Sequence, residues 1–208
     1  MGILMFSEHV FIIPRPVFLG KEFTISVRIL SPLFPTMNYK TIAQDKSGLG
    51  GILVITPDCK HVGTFSMGAE PQFIDSGIDL SNECEKAGWY HIAMSYSQNA
   101  IIETEEDIET KEVLIFYLNG VKKSEVFLNG HVLNRYIKYV GNSMDYTEPA
   151  GFICDFKVVD KFYRFKDDKK KLPDNVINHE HKAMCNILDL IYLLPKETNP
   201  KLPKVYNY

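Results

Sequence analysis

The chain is short of the residues that most often announce a chemistry. It has one tryptophan, and its four cysteines, Cys59, Cys84, Cys154 and Cys185, show no C-x-x-C spacing. That excludes the common zinc templates, and a chain of this size with so few cysteines has no need of disulfides to fold. The formal net charge is −3 and the pI about 6.1, so charge offers no case for a nucleic-acid partner. No apolar run reaches the ~18 residues that a membrane span requires. No asparagine stands in an N-x-S/T sequence, and no internal repeat is visible. The opening MGILMFSEHV has neither a basic leading region nor a small-residue cleavage site. Phe6 stands where a myristoylation signal has Ser or Thr, so neither a signal peptide nor a lipid anchor is expected. Together these absences make a cytoplasmic or organellar protein the expectation.

What the chain has is apolar substance: 45% hydrophobic and 12% aromatic residues in 208. That suffices for one large core, at a length that all-β sandwiches often reach as a single unit. The most informative stretch runs from Gly88 to Asn119. Trp89, His91, Ala93 and Ser95 alternate with Tyr90, Ile92, Met94 and Tyr96, the period-2 signature of a strand. Val113 to Leu118 is apolar at nearly every position and ends at Asn119-Gly120, a turn pair that tolerates positive φ. Val121 to Phe127 follows and closes on Asn129-Gly130. Three strands in succession predict a meander.

Shorter strands surround it. His9 to Arg15 reads as an edge strand stopped by Pro14 and Pro16. Phe23 to Leu30 alternates cleanly, and Tyr39 to Ala43, Gly51 to Ile55, His61 to Met67 and Phe73 to Leu80 succeed it. After the meander come Tyr136 to Val140 and Ala150 to Phe162. This spacing of turn signals fits a sandwich rather than βαβ units. From Tyr163 the composition changes: a mixed charge run, a break at Leu172-Pro173-Asp174, then Met184, Ile187, Leu188, Ile191 and Leu194 at helical spacing. The helix stops at Pro195, and the proline-rich end bearing Tyr206 and Tyr208 is expected to be extended.

The order of these motifs resembles the laminin-G-like branch of the concanavalin A-like lectin/glucanase superfamily over residues 9–162. The resemblance rests on Trp89, His91, Ile92 and Ala93, then Tyr117, Leu118, Asn119 and Gly120, then Gly151, Ile153, Phe156 and Val158. It implies a jelly-roll sandwich in which Trp89 anchors the core and Asn119-Gly120 makes a tight turn. Fold is implied more firmly than ligand.

Calcium needs six or more converging oxygens, and Asp58, Asp75, Asp79, Asn142 and Asp145 are scattered over different turns, so ordinary turn acids are the preferred reading. A glycan platform wants aromatic faces. With Trp89 expected inside, the candidates are tyrosines: Tyr39, Tyr136, Tyr139 and Tyr146, with Asn142 beside them. Some glucanases of the superfamily carry alternate carboxylates on one strand, and Glu105, Asp107 and Glu109 have that spacing. Glu106 stands where an apolar residue is required, however, and six acids with one lysine between Glu103 and Glu112 read as a solvated loop. His179-Glu180-His181 places its imidazoles ~200° apart on a helix and reads as a polar first turn, not a metal site. His91, with no nucleophile motif in reach, reads as a buried strand histidine.

The expected fold is all-β: a concanavalin A-like jelly-roll sandwich of two antiparallel sheets over residues 9–162. Residues 163–208 are expected to form a charged linker, an amphipathic helix and an extended tail. The expected function is a non-catalytic binding or assembly module, a protein–protein interaction subunit of a larger complex, with no cofactor or metal. Met184, Ile187, Leu188, Ile191, Tyr206 and Tyr208 would form the docking surface, and removing residues 172–208 would weaken association while leaving the sandwich folded. The alternative is a carbohydrate-binding, lectin-like domain using Tyr136, Tyr139, Asn142 and Tyr146. A glycoside hydrolase is the remote third reading.

Overall fold

The computed structural model describes residues 2–5, 10–45, 51–68, 70–103, 107–141, 148–149, 151–165, 170–173, 176 and 205–207. In chain order the first strands are β1 (Gly2–Met5), β2 (Val10–Phe18), β3 (Glu22–Ser31), β4 (Lys40–Gln44), β5 (Gly51–Ile55), β6 (His61–Met67) and β7 (Phe73–Asp79). A single helical turn, α1 (Leu80–Glu83), capped by Asp79, leads into β8 (Gly88–Glu103), β9 (Ile108–Leu118) and β10 (Val121–Phe127). The last strands are β11 (Val132–Leu133), β12 (Tyr136–Val140), β13 (Glu148–Pro149), β14 (Gly151–Val159) and β15 (Val205–Asn207). They form two sheets. The first has the order β1-β14-β3-β8-β9-β10; the second has β11-β6-β5-β4-β12-β2-β15, with β13 on β4 and β7 on β6. Pairing is antiparallel except for β13 with β4 and β15 with β2. The fold is an all-β sandwich, as the alternation implied. Among the described residues no helix is long and apolar enough to cross a membrane.

The core lies between the sheets. Phe23, Ile25, Val27 and Ile29 of β3, Ile92, Met94 and Tyr96 of β8, and Leu114, Phe116 and Leu118 of β9 face Ile42, Ile52, Leu53, Ile55, Val62 and Ile137 of the second sheet. The meander is present, with β8, β9 and β10 as successive neighbours. Asn119 and Gly120 have φ of 52° and 79°, and Asn129 and Gly130 have 47° and 92°. Both pairs thus adopt the left-handed backbone that these residues tolerate.

Because Tyr90, Ile92, Met94 and Tyr96 face the core, the residues alternating with them face outward. Trp89 is therefore half-buried on the outer side rather than the core anchor that the resemblance implied, and His91 is buried there. That outer face carries a second apolar cluster, built from Ala93, Ala100, Ile102, Val113, Ile115 and Tyr117. The chain after β14 lies across it, adding Tyr163, Leu172 and Val176.

Sheet hydroxyls receive this strap. Thr24 Oγ1 donates to the Lys161 carbonyl (2.7 Å) and Tyr117 Oη to the Tyr163 carbonyl (2.7 Å). Ser26 Oγ donates to the Val176 carbonyl (3.3 Å), and the Tyr163 amide donates to Ser95 Oγ (2.8 Å). Arg164 grips Glu125 through Nη2 and Nε, with Lys122 Nζ on the same carboxylate (2.9 Å).

Two local expectations need correction. Pro14 and Pro16 do not stop β2, which continues to Phe18. The β2–β12 register shifts between Ile137 and Tyr139, so the prolines fall where the ladder asks for no amide. The acidic segment is not all loop: β8 continues to Glu103 and β9 starts at Ile108, paired as a ribbon.

Two outcomes follow. Ending the chain after residue 171 removes Leu172 and Val176 from a packed cluster. Equilibrium urea unfolding should show a loss of at least the ~2–5 kcal/mol typical of one deleted core leucine. In addition, burial works against the charge of Glu125, but Arg164 and Lys122 outweigh it and hold the carboxyl below its ordinary range. A depressed folded pKa stabilises above the unfolded pKa and is lost as pH falls through the folded one. The stability gap between the native chain and Glu125→Gln should therefore be widest near pH 7 and shrink steadily in unfolding curves taken towards pH 3.

Candidate functional site

Among the described residues, the crossing from β2 to β3 defines one end of the sandwich. The Leu19 amide donates to the Arg135 carbonyl (2.7 Å), and two residues later the Lys21 carbonyl accepts from the Gln98 amide (2.9 Å). This brings the end of β2, the start of β12 and the far part of β8 to one mouth. Phe18 and Tyr136 are opposite in register across β2 and β12. Their ring centroids are 5.0 Å apart with planes tilted by 49°. They are 56% and 52% exposed, so two aromatic rings stand side by side in solvent.

The guanidinium carbon of Arg135 lies 5.5 Å from the Phe18 ring centroid. Buried Asn134 accepts from the Tyr136 amide (2.9 Å), a local turn that fixes Arg135 and Tyr136 in their places. Arg135 forms no ion pair among the described residues. Behind it, Tyr96 Oη donates to Glu112. Burial, reinforced by that carboxylate, raises the Tyr96 phenol pKa, with Arg135 opposing. Glu112 is thus already engaged, and Arg135 stays available.

The sequence-picked residues divide. Tyr136 lies in this mouth. Tyr139 is half-buried on the other side of the β2–β12 register shift, paired with Ile12 and Gln44. Tyr39 instead packs with Phe65 and Phe73 at 4.9 and 5.4 Å as a half-buried satellite cluster, where the Phe73 ring lies across bare Gly63. Asn142, Tyr146, Met184, Ile187, Leu188, Ile191 and Tyr208 lie outside the described residues. Tyr206 is on β15, opposite Phe11 at the sheet edge. Sequence reasoning missed Phe18 and Arg135. The available signal was Phe18 standing one alternation step beyond a proline-broken run.

The acids are held locally. Asp58 accepts from Thr56 Oγ1 (2.6 Å) and the Lys60 amide (3.1 Å), which lower its pKa. Asp75 accepts from the Gly77 amide (2.7 Å) and lies 3.2 Å from His61 Nδ1. Asp79 caps α1. Glu109 pairs with Lys111 (2.7 Å) on an exposed ribbon, and Asp107 Oδ1 accepts from the Ile108 amide. Glu105, Asp145 and His179 to His181 lie outside the described residues. Among the described residues no group of three or more His, Cys, Asp and Glu is placed to hold a metal ion.

A cleft of about 240 Å³ at another loop cluster is lined by Ile29, Leu33, Leu80 and both Cys59 and Cys84. Burial raises both thiols, Cys84 to about 12, so neither is a thiolate nucleophile at neutral pH.

No family model matches the chain, and no curated protein sequence matches it. Among solved structures it is similar to the binding domain of botulinum neurotoxin DC in complex with SialylT. That match has a TM-score of 0.46 and 15% identity, covering 76% of this chain and 34% of that one. Another is a structure of botulinum neurotoxin type C, whose cell entry is described as dependent upon interaction with two ganglioside molecules (TM-score 0.45, 16% identity, 71% and 34% covered). A receptor binding domain gives 0.45 and 14%, over 85% and 45%. The chain spans about a third of the length of the first solved structures it matches. Likeness at this level carries no argument about fold or ligand; the fold rests on the sheets themselves.

With both thiols sheltered and protonated, iodoacetamide at pH 8 should leave Cys59 and Cys84 unmodified in the folded protein and label both in urea, read by peptide mass mapping.

Proposed function

We propose that this chain is a non-catalytic binding module whose ligand is carbohydrate, seated at the mouth on Phe18, Tyr136 and Arg135. The observation that carries this reading is the exposed ring pair. Burying a Phe-sized side chain is worth ~1.5–3 kcal/mol, and these two rings forgo about half of it while an apolar core lies one residue away. A pyranose offers an apolar C–H face that lies flat on an aromatic face, and two tilted rings cradle it from two directions. The guanidinium of Arg135 supplies a rigid fork of donors for ring oxygens, hydroxyls or a carboxylate. Such a site needs a few convergent polar groups beside an apolar platform, which is the composition here.

Assignment to the laminin-G-like branch belongs to the same proposal. Its support is the order of the Trp89, Asn119-Gly120 and Gly151 motifs on a two-sheet sandwich. The non-catalytic part is supported by Asp107 and Glu109 lying on an exposed ribbon, one bound to its neighbouring amide and the other paired with a lysine. Retaining hydrolysis requires two carboxyls facing each other across a scissile bond.

A glycan-array screen of the whole chain tests the reading, followed by titration calorimetry on the best hit. Phe18→Ala and Tyr136→Ala should each weaken binding about tenfold, or ~1.4 kcal/mol, with unfolding midpoints unchanged because both rings are exposed. A silent array, or unaltered affinity in both variants, would sink it.

A further inference from the structure

The far part of β8 carries a surface that the carbohydrate reading does not use. Pairing with β3 ends at Ser97 opposite Glu22, yet β8 runs on to Glu103, accompanied by β9 from Ile108. The β8–β9 register shifts between Ser97 and Ala100. This bulge inserts one extra residue and reverses which residues face inward. Before it, Tyr96 faces the core; after it, Ala100 and Ile102 join the outer cluster under the strap. Ile101 and Glu103, with their partners Thr110 and Ile108, therefore continue the core-facing side of the sheet past the end of the sandwich.

Among the described residues no opposing sheet covers them. Ile101 is 62% exposed and Ile108 is 68% exposed, two β-branched apolar side chains placed diagonally across one face. The ribbon is also held. Its other face is packed under the strap, and Arg164 Nη1 donates to the Ile101 carbonyl (2.8 Å). A fixed face loses less entropy on docking than a flexible arm.

Charge decides what covers this face. The ribbon is acidic as a whole, with six acids against one lysine in residues 103–112; Glu103 shares the face of Ile101 and Ile108, while Glu109, paired with that lysine, lies on the other side. A second copy of the same ribbon would bring like charges together and is disfavoured. The geometry points to a docking arm for a protein partner that presents an apolar surface bordered by lysine or arginine. Six residues of β8 span about 20 Å, so one face of the two-stranded ribbon offers roughly 200 Å². That is well under the ~800 Å² per partner of a stable complex. The association is consequently transient, steered by charge and weakened by salt.

The test uses the full chain and two synthetic β-forming peptides of alternating sequence, one Leu–Lys and one Leu–Glu, read by fluorescence anisotropy at low and high salt. The Leu–Lys peptide should bind at low salt and be released at high salt, and the Leu–Glu peptide should not bind. The double variant Ile101→Thr/Ile108→Thr, which keeps β-branching on exposed positions, should weaken Leu–Lys binding about tenfold. Glu103→Gln with Asp107→Asn should do the same. Phe18→Ala should leave it unchanged, separating this surface from the carbohydrate platform. Equal binding by the ribbon variants would overturn the proposal. So would capture of the Leu–Glu peptide, or an equal loss on neutralising remote Glu83 with Glu83→Gln.

Discussion

Over residues 91–97 and 113–118, strands β8 and β9 are buried on both faces, and much of the molecule answers to that constraint. Their inner side chains have a second sheet to pack on. Over their outer ones, Ala93, Val113, Ile115 and Tyr117, the described residues place no third sheet, and the chain beyond β14 returns across them. An irregular strap buried on an apolar face would leave its carbonyls without donors, at ~1–3 kcal/mol for each. The outer face of the sheet therefore carries hydroxyls where those carbonyls arrive: Thr24 under Lys161, Ser26 under Val176, Tyr117 under Tyr163. Polar residues in the middle of an apolar sheet mark the path of the covering segment.

This explains what sequence alone could and could not convey. Strands bounded by local chemistry were readable to the residue: Gly51–Ile55, His61–Met67, Val121–Phe127 and Tyr136–Val140 stand as expected, because turn pairs and alternation are encoded nearby. Failures came where a distant partner decides. Pro14 and Pro16 read as stops, but they sit in the stretch of β2 that bulges out of register with β12, which excuses their missing amides. Trp89 read as a core anchor from its size and its motif, whereas its phase places it with His91 on the outer side. Leu172 lies in a charged, proline-bearing stretch, and it is distant Gly120, whose carbonyl accepts from its amide (3.0 Å), that ties the segment to the sheet.

The candidate site was half legible for the same reason. Tyr136 was picked by residue type. Its partner Phe18 sits at the end of a strand that seemed to finish earlier, and nothing in the sequence pairs the two. Arg135 is one of many cations on the chain. It becomes distinctive only because it sits over the Phe18 ring while the nearby Glu112 carboxylate is taken by Tyr96.

The bulge between Ser97 and Ala100 then gives the mouth its asymmetry. Without the extra residue, alternation would send Ile102 towards the open mouth and Ile101 under the strap. With it, Ile102 is buried and a different isoleucine pair, Ile101 and Ile108, is left facing outward beside carboxylates. The two sides of the mouth consequently differ in chemistry: rings with a guanidinium on the second sheet, branched aliphatics among acids on the first. A neutral sugar has little to gain from the aliphatic side, whose carboxylates border a surface without aromatic faces. A basic protein surface has little to gain from Arg135, which repels it. The two proposed ligand classes, rather than one ligand bridging the mouth, are what this division of charge and shape favours.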